Sequence, residues 1–226
     1  MKDRTFGFWA FVRLVFLAAL FCLWAASCVS PAPGDETLLL YARCQGLYRE
    51  GRFAETAKIL AGEAGFAPSL VLRGKAEYLC GDLEAAGKSL KRALALKPYD
   101  VDASLFLARV FRESGNTSEA QRTAEKILGD HPLDIRTLRF AAELARERGV
   151  GGEAASAALL DRAVEASANV AAESALVFLD RARQRWSGGN SAGALEDLRR
   201  ARTLLSDDGP VLKAVQRLES IISEVS

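Results

Sequence analysis

Apolar residues recur three and four positions apart along most of this chain, from Thr37 to Val225, the spacing that gives a helix one buried face. Glycine-centred breaks cut that stretch into pieces of helical length. One piece carries Leu70, Gly74 and Tyr78 and ends near Cys80, ahead of Gly81-Asp82. The next places Ala86, Leu90 and Ala93 on a single face and stops at Pro98. Together they predict a helix–turn–helix unit over Ala67–Asp100. Adding 34 to Gly74, Gly81, Ala86, Leu90, Ala93 and Pro98 gives Ala108, Gly115, Ala120, Ala124, Ile127 and Pro132. A second unit, Val101–Asp134, therefore repeats the first, and self-similarity at a fixed period predicts stacked helical repeats.

The flanks follow the same plan more loosely. Thr37–Phe66 turns at Gly51-Arg52-Phe53, and Gly62 and Gly65 predict a shortened second helix. Ile135–Arg148 is a first helix, Gly149-Val150-Gly151-Gly152 an enlarged turn, and Gly152–Ala168 its partner. Val170–Leu205 turns at Gly188-Gly189-Asn190, with Ala182, Ala194, Leu198 and Ala201 around the turn. Pro210–Val225 opens with a proline suited to a first helical turn, and its apolar residues Val211, Leu212, Val215, Leu218, Ile221 and Ile222 recur at three and four. Repeat arrays need a covering element at their ends, and this helix is the expected cap. The fold class is thus all-α, an α-solenoid of about five helical pairs with a C-terminal capping helix.

These residues resemble the tetratricopeptide repeat. In that family small residues let paired helices approach closely and a proline ends each unit. Gly74, Ala86, Ala93 and Pro98 match those positions, as do Ala108, Ala120 and Pro132, with Ile127 in place of alanine. The resemblance implies that the first helix of each pair lines a concave groove that holds a protein or peptide.

The N-terminus has a different character. Lys2, Arg4 and Arg13 precede an apolar run, Leu14–Ala26, and Ala25-Ala26-Ser27-Cys28 closes it. A short apolar run with a basic flank predicts an export signal over 1–27. Small residues before Cys28 resemble the bacterial lipoprotein cleavage box, in which the cysteine becomes the acylated N-terminus. An uncleaved anchor over Phe6–Ala26 and a soluble secreted product are the alternatives. All three place the domain outside the cytoplasm. Residues 28–36, with two prolines and a glycine after the cysteine, form the tether, and 37–226 the repeat domain. No aspartate follows Cys28. In Gram-negative lipoproteins that absence implies the outer membrane, facing the periplasm.

Composition narrows the chemistry. The formal net charge is +1, so no concentrated basic surface argues for nucleic acid. The single histidine, His131, precedes Pro132 in a loop, and no cysteine–histidine cluster has ligand spacing for a metal. No phosphate loop or catalytic constellation is present, so neither a cofactor nor an enzymatic activity is expected. Cys44 and Cys80 are expected as two buried thiols rather than a disulfide.

A stripe at spacings of three and four runs along the first helices. It comprises Tyr41, Gln45 and Tyr48; Val71, Lys75 and Tyr78; Leu105, Arg109 and Arg112; Arg139, Glu143 and Arg146; and Leu179, Arg183 and Trp186. An aromatic N-terminal half passes into a basic C-terminal half. Solvated arginines paired with neighbouring glutamates are one reading of it. The other is a groove that anchors a peptide by aromatic contact and guanidinium forks. Functionally this predicts a membrane-anchored, non-catalytic interaction scaffold in envelope assembly, joined to the membrane through the lipid on Cys28. Lipoproteins with this repeat assist barrel, pilus or secretion complexes. The alternative is a ligand-binding component of a solute transport system.

Overall fold

The computed structural model describes residues 33–167, 171–205 and 209–225. The expected signal segment 1–27, Cys28 and the tether up to residue 32 lie outside the described residues. The chain divides into two compact units, Met1–Arg43 and Cys44–Ser226. In the first, residues 33–43 are described and hold the start of helix α1 (Asp35–Arg49). This helix begins slightly before the expected Thr37, because Asp35 and Glu36 sit in its first turn, where carboxylates oppose the helix dipole favourably.

The second unit continues α1 and adds α2 (Phe53–Ile59), α3 (Ala67–Leu79), α4 (Leu83–Leu96), α5 (Val101–Glu113) and α6 (Thr117–Asp130). It goes on through α7 (Ile135–Glu147), α8 (Gly152–Ala166), α9 (Ala171–Ser187), α10 (Ser191–Thr203) and α11 (Pro210–Val225). All regular structure among the described residues is helical. As the sequence predicts, α2 is cut short, passing into a single 3₁₀ turn, Leu60–Gly62.

The turns explain the period. Gly81, Gly115 and Gly149 all have positive φ, near 80°, at intervals of 34 residues. That left-handed residue lets the next N–H reach back over the helix end: Asp82 N–H donates to the Glu77 carbonyl at 3.0 Å and Asn116 N–H to Phe111 at 2.8 Å. The following helix starts on the same residue, since the Asp82 and Asn116 side chains accept from the backbone N–H three positions on. Asp100 and Asp134 cap α5 and α7 in the same way, at 2.9 Å each.

Helices pack in consecutive pairs, α3 on α4, α5 on α6, α7 on α8 and α9 on α10, with each pair against the next. Small residues set the separation. Ala86, Ala93, Ala108, Ala120, Ala182, Ala194 and Ala201 are fully buried. At Gly74 a Cβ would come within 2.7 Å of Leu90 Cγ, so glycine admits the α4 leucine. The enlarged turn is tighter still: a Cβ on Gly152 would stand 2.1 Å from the Ala145 carbonyl oxygen. Val215, Leu218 and Ile222 of α11 are buried on the last pair with Leu179, Leu198 and Ala201, which makes α11 the cap.

Cys44 is fully buried, but Cys80 is exposed, contrary to expectation. It is the C-cap residue of α3, one position past the last helical turn, and so leaves the packed face. Among the described residues no helix is long and apolar enough to cross a membrane.

Candidate functional site

The inner stripe is built from α3, α5, α7 and α9. Not all of its expected members face outward. Val71, Leu105 and Leu179 are buried in the core, because those positions point at the partner helix. The residues four positions further on, Lys75, Arg109 and Arg183, emerge from the core instead.

On α3 and α5 the stripe centres on Phe106. Tyr78 meets its ring edge-on, with centroids 5.8 Å apart. The Lys75 ammonium and the Arg109 guanidinium each lie 4.9 Å from the ring centroid. Lys75 also pairs with Asp102, whose other oxygen takes Arg136 of α7 at 3.0 Å. Tyr48, at the end of α1, stacks edge-on with Phe53 at 5.1 Å. Burial raises its phenol pKa, Asp102 raises it further and Arg109 opposes both, so Tyr48 shares the field of this cluster.

Towards α7 and α9 the contacts become ionic. Arg112 donates to Glu143 at 2.6 Å and to Glu113 at 2.9 Å, and stacks 5.4 Å from the Phe140 ring. Burial alone would lower the Arg112 pKa, but these carboxylates raise it. Arg139 donates to Asp180 of α9 at 2.7 Å, and Arg183 reaches the same carboxylate at 3.4 Å. Arg109 and Arg146 make no ion pair among the described residues.

Two cavities follow this line. One of about 200 Å³ is walled by Tyr78, Phe140 and the guanidiniums of Arg109, Arg112, Arg136 and Arg139, with Glu143. The other, about 80 Å³, lies among Arg139, Glu143, Arg146, Asp180 and Arg183. Since Arg139 and Glu143 belong to both, they form one trough. It brings together Tyr78, Arg109, Arg112, Arg139, Arg146 and Arg183 from the expected stripe. Lys75 adjoins it through Phe106. Gln45 is half-buried on α1, Tyr41 belongs to the first unit, and Trp186 packs on the core of the last pair.

Sequence reasoning missed Phe106, Phe140 and Arg136. The 34-residue register was the available signal, since Phe140 repeats Phe106 and Arg136 repeats Asp102. A separate cleft of about 390 Å³ opens between α6, α7 and α8, lined by Ala124, Leu128, Leu144 and Leu159 with Arg148 and Arg162 at its margin. No cluster of metal-ligating side chains occurs among the described residues.

The paired helices, the glycine turns and the small buried positions have a counterpart among known proteins. Residues 81–144 match the family model for the tetratricopeptide repeat. The chain contains tetratricopeptide repeats. Among curated proteins none matches the sequence significantly. Solved structures share the solenoid fold. A thermophilic tetratricopeptide-repeat protein of Thermus thermophilus is 22% identical, with TM-score 0.59 over 71% of this chain and 84% of that one. A tetratricopeptide-repeat protein of Parabacteroides merdae is 16% identical, with TM-score 0.66 over 81% of this chain and 70% of its own. The pilF protein of Pseudomonas aeruginosa is 12% identical, with TM-score 0.63 over 83% and 84%. At these identities the likeness is one of fold.

Proposed function

We propose that this tetratricopeptide-repeat chain is a non-catalytic scaffold that holds a protein partner along the inner face of its first helices. The continuous trough across α3, α5, α7 and α9 carries this reading. It gathers aromatic rings and arginines, the side chains that dominate protein interfaces, on helices fixed by a close-packed core. The leader sequence ending at Cys28 supports a lipid anchor, and Val29-Ser30 after it supports the outer membrane with the repeats in the periplasm.

Two experiments test the two halves. Partner recovery from solubilised membranes should fall sharply when Arg112 and Arg139 are both changed to glutamate, and equal recovery would sink the scaffold. Cys28→Ser should release the chain from membranes if the anchor is a lipid. Persistent association would instead mean an uncleaved apolar anchor. The alternative, a small acidic ligand carried for a transport system, draws on the arginines of the larger cavity. Its volume, about 200 Å³, is below the roughly 300–1,000 Å³ of most ligand pockets.

A further inference from the structure

We infer that the cleft between α6, α7 and α8 binds a small aromatic carboxylate, with its rings on the apolar floor and its anionic group on Arg148. The site is separate from the trough, and the inference does not rest on the scaffold reading.

Helix α7 carries both sites and keeps them apart. The trough uses Arg139, Glu143 and Arg146, whereas the cleft uses Ala141, Leu144, Ala145 and Arg148. At about 100° per residue these two sets occupy opposite faces of the helix. A ligand in the cleft therefore meets none of the side chains that line the trough.

The 34-residue register explains why the gap is open here. It relates Ala141 and Ala145 of α7 to Leu107 and Phe111 of α5. Leu107 is buried in the core shared by α3, α4 and α5. Phe111 packs on that core and also on the next one, formed by α5, α6 and α7. The Lys91 ammonium of α4 lies 5.8 Å from the centre of its ring. The chain's own aromatic ring thus fills the gap between α4 and α6. Alanine at both related positions leaves the matching gap between α6 and α8 open, at about 390 Å³. That volume falls within the roughly 300–1,000 Å³ of ligand pockets. An apolar cavity of about 150 Å³ holds one benzene ring, so this cleft has room for a two-ring body.

Shape and charge restrict the occupant further. Along α8 the lining runs from Ala155 to Arg162, about 10 Å at ~1.5 Å per residue. A partner's helix, about 10–12 Å across, is as wide as the cleft is long and cannot enter it. A lone phenylalanine side chain would fill less than half of the space. Arg162 stands at one end, donating to the Pro132 carbonyl at 3.0 Å just before α7 begins. Arg148 stands at the other, directly after α7 ends, and makes no ion pair among the described residues. Glu125, the one carboxylate of the lining, accepts from the Gln121 amide. Two guanidiniums against one engaged carboxylate favour an anion, and the Arg148 fork is the donor left for it.

The test uses the full chain in lipid nanodiscs, with naphthylacetate titrated by calorimetry at neutral pH against empty discs. Saturable binding is expected, and naphthylethanol, a neutral analogue, should bind at least about tenfold more weakly. Arg148→Gln should weaken naphthylacetate at least about fivefold. Ala145→Phe, which restores the ring of the preceding repeat, should abolish binding without lowering the melting temperature. Arg122→Gln, outside the cleft on α6, should leave binding unchanged, as should Arg112→Glu combined with Arg139→Glu in the trough. The absence of a saturable site overturns the inference, as does wild-type affinity in Ala145→Phe or Arg148→Gln. A marked loss of stability in Ala145→Phe would mean that the gap is already filled, which overturns it too. So does decanoate, a straight-chain carboxylate, or a peptide with adjacent aromatic and acidic residues, if either binds as tightly as naphthylacetate. Loss of binding in the trough variant would move the acid to the trough and overturn this site, while partner recovery judges the scaffold separately.

Discussion

Replacing Gly152 with alanine asks whether the enlarged turn holds α7 and α8 as closely as described. The added methyl would sit 2.1 Å from the Ala145 carbonyl oxygen and 3.1 Å from its carbonyl carbon. Favourable carbon contacts lie near 3.5–4.0 Å, so helix α8 must retreat by more than an ångström or the carbonyl must tilt out of α7. Neither atom belongs to a side chain that could rotate away. Overpacking of this kind costs about 1–3 kcal/mol, and a backbone obstacle puts this case at the upper end. For a chain of this size each kcal/mol moves the melting temperature by about 2–4 °C, which predicts a loss of roughly 6–12 °C.

Two further glycines calibrate the effect. At Gly74 the obstacle is Leu90, at 2.7 Å from Cγ and 2.9 Å from Cδ2, a side chain that can shift. Gly74→Ala should therefore cost less, about 1–2 kcal/mol. At Gly87, inside α4, a methyl would meet only Val110 Cγ1 at an ordinary 3.6 Å. Gly87→Ala should stabilise the chain by about 0.5–1 kcal/mol through helix propensity. Calorimetry or circular-dichroism melts of the three variants read the order directly. Hydrogen exchange should place the Gly152→Ala loss in α7 and α8, because neighbours in a repeat array fail locally. A Gly152→Ala melt that matches wild type, or falls above that of Gly74→Ala, would refute the packing argument.

Three more outcomes are expected. Asp197 is fully buried and takes both Arg181, through two bonds of 2.7 and 2.9 Å, and Arg185 at 3.0 Å; Asp197→Ala removes the buried partner of both, leaving Arg181 only the exposed Asp161 at 2.8 Å, and should cost about 3 kcal/mol in a urea melt. At Asp100, burial would raise the carboxyl pKa, but the Ala103 N–H and the Lys97 ammonium lower it overall. Its stabilisation is therefore present above the unfolded value near ~3.9 and lost as pH falls through the lower folded value, so Asp100→Asn should flatten the acid limb of the stability curve. A maleimide should label exposed Cys80 in the native chain and reach buried Cys44 only after unfolding; rapid native labelling of both would contradict the α1 packing.

What the sequence discloses depends on how locally each feature is encoded. The turns were legible because glycine at positive φ and an Asp or Asn cap are adjacent in the chain, as at Gly81-Asp82 and Gly115-Asn116. The small buried faces were legible because Ala86, Leu90 and Ala93 follow helical spacing. The groove was legible in part. Helical spacing identifies a face, but not where the partner helix cuts it, so Val71 and Leu105 were placed outside when they lie within. Phe106 and Phe140 were overlooked because aromatic residues inside a helix ordinarily read as core. The Arg181–Asp197 pair joins α9 to α10 across a turn and has no periodic signature.

Site-specific photo-crosslinking in the native cell tests the trough most directly. A photoreactive residue in place of Tyr78, on the wall of the larger cavity, should capture a discrete partner. The same residue in place of Arg122, exposed on α6, should capture none. Capture at Arg122 but not at Tyr78 would contradict the account.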